Sequence, residues 1–165
     1  MTSQEVNTMN HPENEAHEAA RLRWAELKDA LAMVKLYNLA RAKKLETFET
    51  MTDWLEHGGG LILEDAFGQM LCAIRWREGD EGWQVDRIAT LPEARGRSYG
   101  RWLMTKVEAL AIRRNIPTLK LQLDETRDDL LQYYQRMGYR MESQDAETCL
   151  LTKRVGGTWQ FKQAM

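Results

Sequence analysis

The sequence predicts an α+β domain: a single mixed, mostly antiparallel sheet with a central parallel strand–helix–strand unit and flanking helices. Three observations carry this. Apolar residues recur at helical spacing in two segments between residues 26 and 55, and the period then falls to two after residue 60. Three strand-like runs follow, separated only by short turns, which is the pattern of an antiparallel meander. The last of these runs, Trp83–Thr90, leads through a long helical pattern into another strand, Thr118–Leu123. Two such strands in one sheet must be parallel, joined by a right-handed crossover.

In order, residues 1–20 are polar, with little apolar periodicity, and are expected to form a flexible tail. Arg21-Leu22-Arg23-Trp24 reads as a short first strand. Leu27, Leu31, Val34 and Asn38, flanked by Ala30, Met33 and Tyr37, place a helix over residues 26–43. A second helix holds Phe48, Met51, Trp54 and Leu55, and His57-Gly58-Gly59-Gly60 is expected to stop it as a run too flexible to continue. Leu61-Ile62-Leu63, the turn Asp65-Ala66-Phe67-Gly68 and residues 70–76 form a hairpin. Residues 78–82 are a second turn before the fourth strand, Trp83–Thr90. The helix over residues 99–114 buries Trp102, Leu103, Val107, Leu110 and Ala111, and stops at Asn115 with Pro117 beyond. After the fifth strand, residues 128–137 form a helix closed by Gly138, and residues 139–141 and 148–153 are the last strands. The domain therefore spans residues 21–154, and residues 155–165 form a C-terminal tail.

Composition narrows the function. Hydrophobic content of 43% and charged content of 29% suit a globular domain, and a formal net charge of −2 speaks against non-specific nucleic-acid binding. No apolar run approaches the about 20 residues of a membrane span. Residues 1–18 lack a basic segment followed by a hydrophobic one, so no secretory signal and a cytoplasmic setting are expected. Cys72 and Cys149, both in apolar strand-like surroundings, are expected to be buried reduced thiols. His11 and His17 have no further ligands at metal-binding spacing, so no metal is expected.

The stretch Arg95-Gly96-Arg97-Ser98-Tyr99-Gly100 lies between the fourth strand, with its turn Leu91-Pro92-Glu93, and the helix that follows. Small residues let the backbone approach a ligand, and the first amides of a helix point outward as unpaired donors. The helix dipole and the charges of Arg95, Arg97 and Arg101 make this an anion site, suited to the phosphates of a cofactor. No Gly-Lys-Ser/Thr follows, which excludes a Walker A loop, and the glycine spacing is not that of a dinucleotide fingerprint.

At this loop the chain resembles the GNAT N-acetyltransferase family, whose signature, Arg/Gln-x-x-Gly-x-Gly/Ala after the fourth strand, reads here as Arg95 to Gly100. A second family pattern appears as Tyr133-Tyr134-Gln135-Arg136-Met137-Gly138-Tyr139, separated from the first by a helix and a strand. The resemblance covers residues 21–154. It implies a GNAT-like sheet and transfer of an acetyl or other short acyl group from acyl-CoA to a primary amine. Two positions depart from the pattern: Ser98 stands at the first signature glycine, and Arg127 stands where many members carry a cofactor-contacting Asn.

The resemblance also implies site roles. The pantetheine chain of acetyl-CoA pairs with the backbone of Ile88, Ala89 and Thr90. Its pyrophosphate sits on the amides of Arg97, Ser98, Tyr99, Gly100 and Arg101, with Arg95, Gly96 and Arg127 completing the cofactor set. Tyr134 matches the family tyrosine that protonates the departing thiolate, whereas Tyr133 projects about 100° away around the helix and packs. For the base, Asp86 is expected on the same strand face as Ile88 and Thr90 by parity, and Gln84 stands where some members carry a glutamate but cannot serve as one. Asp86 as a salt-bridge partner is the alternative.

The acceptor stays open between a small-molecule amine and a peptide. The connection between the first two helices is basic (Arg41, Lys43, Lys44) and that between the last two strands acidic (Glu142, Asp145, Glu147), so charge states no preference. Gly156-Gly157 followed by Thr158-Trp159-Gln160-Phe161 reads either as a free tail or as a segment docking on the domain or on a second subunit, the latter giving a homodimer. A catalytically silent CoA-binding module is the rival reading.

Overall fold

The computed structural model describes residues 20–40, 45–123 and 128–156. Seven strands form one sheet in the order β1-β2-β3-β4-β5-β7-β6: β1 Arg21–Trp24, β2 Gly58–Glu64, β3 Met70–Glu78, β4 Trp83–Thr90, β5 Thr118–Leu123, β6 Arg140–Gln144 and β7 Cys149–Arg154. The β4–β5 pair is parallel, and each of the other neighbouring pairs is antiparallel. Helices α1 Ala30–Ala40 and α2 Phe48–Glu56 pack on one face, around Met33, Leu36, Tyr37, Met51, Ile62, Ala73 and Ala89. On the other face, α3 Tyr99–Arg113 and α4 Asp128–Arg136 cover the larger core of Leu63, Ile74, Trp76, Trp83, Val85, Leu103, Val107 and Leu121. None of these helices is long and apolar enough to cross a membrane.

Local chemistry adjusts the expected boundaries. A 3-10 turn, Leu27–Asp29, precedes α1, because the Asp29 carboxylate turns back to accept from the Glu26 amide (2.8 Å) and from Arg23. Residues 41–43 of the expected helix lie outside the described residues. Helix α2 ends at Glu56 as expected, but Gly58, Gly59 and Gly60 are the first residues of β2 rather than a loop. Close approach is the reason. A Cβ on Gly58 would lie 1.9 Å from the Trp76 carbonyl oxygen, and one on Gly59 would lie 2.6 Å from the Trp76 ring. Helix α3 ends as the sequence predicts: Asn115 adopts a φ of 58°, and the Ile116 amide donates back to Ala111 (2.9 Å).

The feature that positions the site is a β-bulge. Ala73 pairs with Ala89 and Arg75 with Asp86, so Ile74 faces both Arg87 and Ile88. Rungs between β4 and β5 run from Trp83↔Leu119 to Asp86↔Gln122, and residues 87–90 of β4 have none among the described residues. At the opposite end of the sheet, Trp76 stacks on Trp83 (5.1 Å), and the Arg114 guanidinium lies 5.5 and 5.6 Å from the Trp24 and Trp83 rings.

Candidate active site

Beyond its last rung with β5, β4 pairs on with β3 alone, through Ala89 and Thr90, with residues 87–88 in the bulge. Among the described residues, none of β5 forms a rung with residues 87–90. Ile88 packs against the larger core, Ala89 belongs to the smaller one, and the Thr90 hydroxyl lies 3.3 Å from the Cys72 sulfur. This end of β4 runs into the 3-10 turn Pro92–Ala94, whose Ala94 is buried.

The loop beyond is shaped by two left-handed residues, Gly96 (φ 82°) and Ser98 (φ 61°, ψ 23°). Ser98 thus occupies a conformation that glycine adopts without cost, and its side chain makes no capping hydrogen bond. The first intrahelical bond runs from the Trp102 amide to the Ser98 carbonyl (3.0 Å). The amides of Gly100 and Arg101 precede it, at positions where a helix supplies no acceptor. The Tyr99 side chain is buried in the core. A Cβ on Gly100 would meet Ile88 Cγ2 at 3.2 Å, which records how tightly the helix start sits on β4. Arg95, Arg97 and Arg101 are exposed around this terminus, and Arg95 also donates to the Ala40 carbonyl at the end of α1 (3.2 Å). Arg127 lies outside the described residues.

Tyr134 is 7% exposed, on the face that α3 and α4 cover. The ring of Tyr133 meets it edge-on at 5.1 Å and that of Tyr139 at 5.9 Å. Tyr133 is half-buried, which raises its phenol above the usual range.

Asp86 is on the opposite face. Parity with Ile88 and Thr90 does not hold, because the extra residue of the bulge inverts the alternation. Asp86 shares its face with Arg75 and Ala89, whereas Thr90 pairs with Cys72 on the other. There its carboxylate accepts from Arg75 (2.7 Å), and Glu46 accepts from the same guanidinium (3.0 Å). Arg75 is 2% exposed and lies 5.0 and 4.8 Å from the rings of Tyr37 and Trp54. Sequence reasoning had missed Glu46 and Arg75. The signal was a lone arginine within the apolar run Leu71-Cys72-Ala73-Ile74-Arg75-Trp76, since a buried charge requires a partner.

The two candidate catalytic residues thus lie on opposite faces of the sheet, Asp86 at the last rung between β4 and β5. Both cysteines are free and buried, as expected, and burial pushes the Cys72 thiol up to about 11. At neutral pH it is not a thiolate nucleophile. Of the basic and acidic connections, Arg41, Lys43 and Lys44 lie outside the described residues, as do His11, His17 and residues 158–161.

Comparison with known proteins agrees with this architecture. The profile of the acetyltransferase (GNAT) family matches residues 16–139. Among solved structures, the ribosomal-protein-S18-alanine N-acetyltransferase from Escherichia coli superposes with a TM-score of 0.76 at 15% identity, over 84% of this chain and 96% of that one. The PaiA N-acetyltransferase from Thermoplasma acidophilum, solved in complex with coenzyme A, gives 0.65 at 13% identity, over 82% and 98%. Ard1 from Thermoplasma volcanium gives 0.69 at 16% identity, over 84% and 99%. At these identities the likeness establishes the fold. No protein of curated function matches the sequence.

Proposed function

Because the chain belongs to the GNAT acetyltransferase family, we propose that it transfers an acetyl or other short acyl group from acyl-CoA to a primary amine by direct attack. The observation that carries this is the continuity of the end of β4, residues 87–90, where no described residue of β5 forms a rung, with the helix terminus at Ser98. An extended amide-bearing chain can add to the edge as a strand would, and a diphosphate can meet the amides and arginines at its end.

In this reading the backbone of Ile88, Ala89 and Thr90 holds the pantetheine chain. The loop Arg95-Gly96-Arg97-Ser98-Tyr99-Gly100-Arg101 holds the pyrophosphate. Attack forms the N–C bond and breaks the C–S bond. The sulfur takes a proton from Tyr134, and the amine gives one up on the face that carries Asp86. Asp86 receives the ammonium by hydrogen bond and passes its proton to water, its carboxylate held in place by Arg75. Two buried free cysteines accord with a cytoplasmic setting.

The test follows free thiol released from acetyl-CoA across a panel of amines and peptides, alongside calorimetric titration with CoA. Thiol release that depends on one class of amine supports the transferase and identifies its acceptor. A second reading is favoured by the ion-paired Asp86 and the uncharged Gln84, which leave β4 without an unengaged acid on its acceptor face: a silent CoA-binding module. CoA binding with no turnover over a broad panel would select it, and absence of CoA binding would overturn both.

A further inference from the structure

We infer that Glu108, Tyr139 and Lys153 form a brace that fixes the phenol of Tyr134 for proton delivery, making Tyr139 and Glu108 positioning residues for the reaction. The inference rests on the reading of Tyr134 as the proton donor. Tyr139 follows the left-handed turn at Gly138 (φ 96°), which brings its amide back onto the Tyr134 carbonyl (3.0 Å) and its ring edge-on to the Tyr134 ring. Tyr139 is 2% exposed, so its hydroxyl needs a partner inside the protein. It donates to Glu108 on α3 at 2.9 Å. The other oxygen of that carboxylate accepts from the Lys153 ammonium on β7 (3.1 Å), which donates also to the Met137 carbonyl (2.7 Å). One carboxylate thus ties α3, β7 and the end of α4 to the ring that abuts Tyr134. A phenol delivering a proton gains from being held within a fraction of an ångström, and its supporting contacts are where that constraint arises.

The test compares Tyr139→Phe, Glu108→Ala and Glu108→Gln in the wild-type and Tyr134→Phe backgrounds. With acetyl-CoA and an amine found by the panel, Tyr139→Phe and Glu108→Ala should each lower turnover about three- to tenfold with the acetyl-CoA KM little changed. Glu108→Gln, which still accepts the Tyr139 hydroxyl, should recover most of it. In the Tyr134→Phe background the same changes should have no further effect. A readout without turnover uses CoA alone, titrated calorimetrically at about pH 7 and about pH 9.5, either side of an ordinary thiol pKa. Affinity should rise with pH in the wild type as the thiolate gains the Tyr134 hydrogen bond, and rise less in Tyr139→Phe. Tyr139→Phe with normal turnover and a normal pH response, or with an equal effect in both backgrounds, overturns the brace alone. Unchanged turnover in Tyr134→Phe overturns the assignment of Tyr134, and the brace with it.

Discussion

Ser98 illustrates how one residue reports on a site. Its left-handed backbone costs a non-glycine residue about 1–2 kcal/mol, partly offset because glycine loses more freedom on folding, by roughly 0.5–1 kcal/mol. Ser98→Gly should therefore raise stability by about 0.5 kcal/mol in urea denaturation and leave CoA affinity intact, since the contact proposed there is a backbone one. The conformation could not be read from the sequence, which shows only a serine where a glycine was expected. Tyr134 is the counterpart on the chemical side. Tyr134→Phe keeps the ring that Tyr133 and Tyr139 pack against and removes only the hydroxyl. Turnover should fall by roughly a hundredfold while CoA affinity, measured calorimetrically, changes little.

At the scale of elements, ion pairs decide how strands meet helices. Arg23 bridges Asp29 and Glu64, and its guanidinium holds both carboxyls below their usual range. Carboxyls depressed on folding contribute stability that is complete above their ordinary values, 3.8 and 4.5, and is lost as pH falls through the lower folded-state values. Melting temperature followed from neutral to acid pH should show that loss, and Arg23→Gln should flatten it. Arg75 is the larger case. Removing a buried partner strands the others, so Arg75→Ala should cost about 3–5 kcal/mol, whereas Arg21→Ala, which removes an exposed guanidinium from a Glu64 that Arg23 still holds, should cost less than about 1 kcal/mol. The elements themselves were legible in the sequence because periodicity and turn residues are local. The bulge at residues 87–88 was not, because a bulge exists only relative to the partner strand. Parity counted along β4 alone therefore put Asp86 on the wrong face. Gly58, Gly59 and Gly60 misled for the same reason: their role is set by Trp76, across the sheet.

For the whole molecule, a ligand that binds only the folded state stabilises it by mass action. CoA at about 100 times its Kd should add about 2.7 kcal/mol, a rise of roughly 5–10 °C in Tm for a chain of this size. Hydrogen exchange should place the protection at residues 87–101. Inorganic phosphate, which can reach the helix terminus but not the β4 edge, should shift Tm less.

The burial of the cysteines bears on the order in which the reaction can be staged. In the proposed reaction, both cysteines are buried and the Cys72 thiol is pushed up, so among the described residues neither is a thiolate that could store the acyl group between two visits. The proposed direct attack then requires both substrates aboard at once. Initial rates measured against each substrate at several fixed levels of the other should therefore give double-reciprocal lines that intersect, never a parallel family.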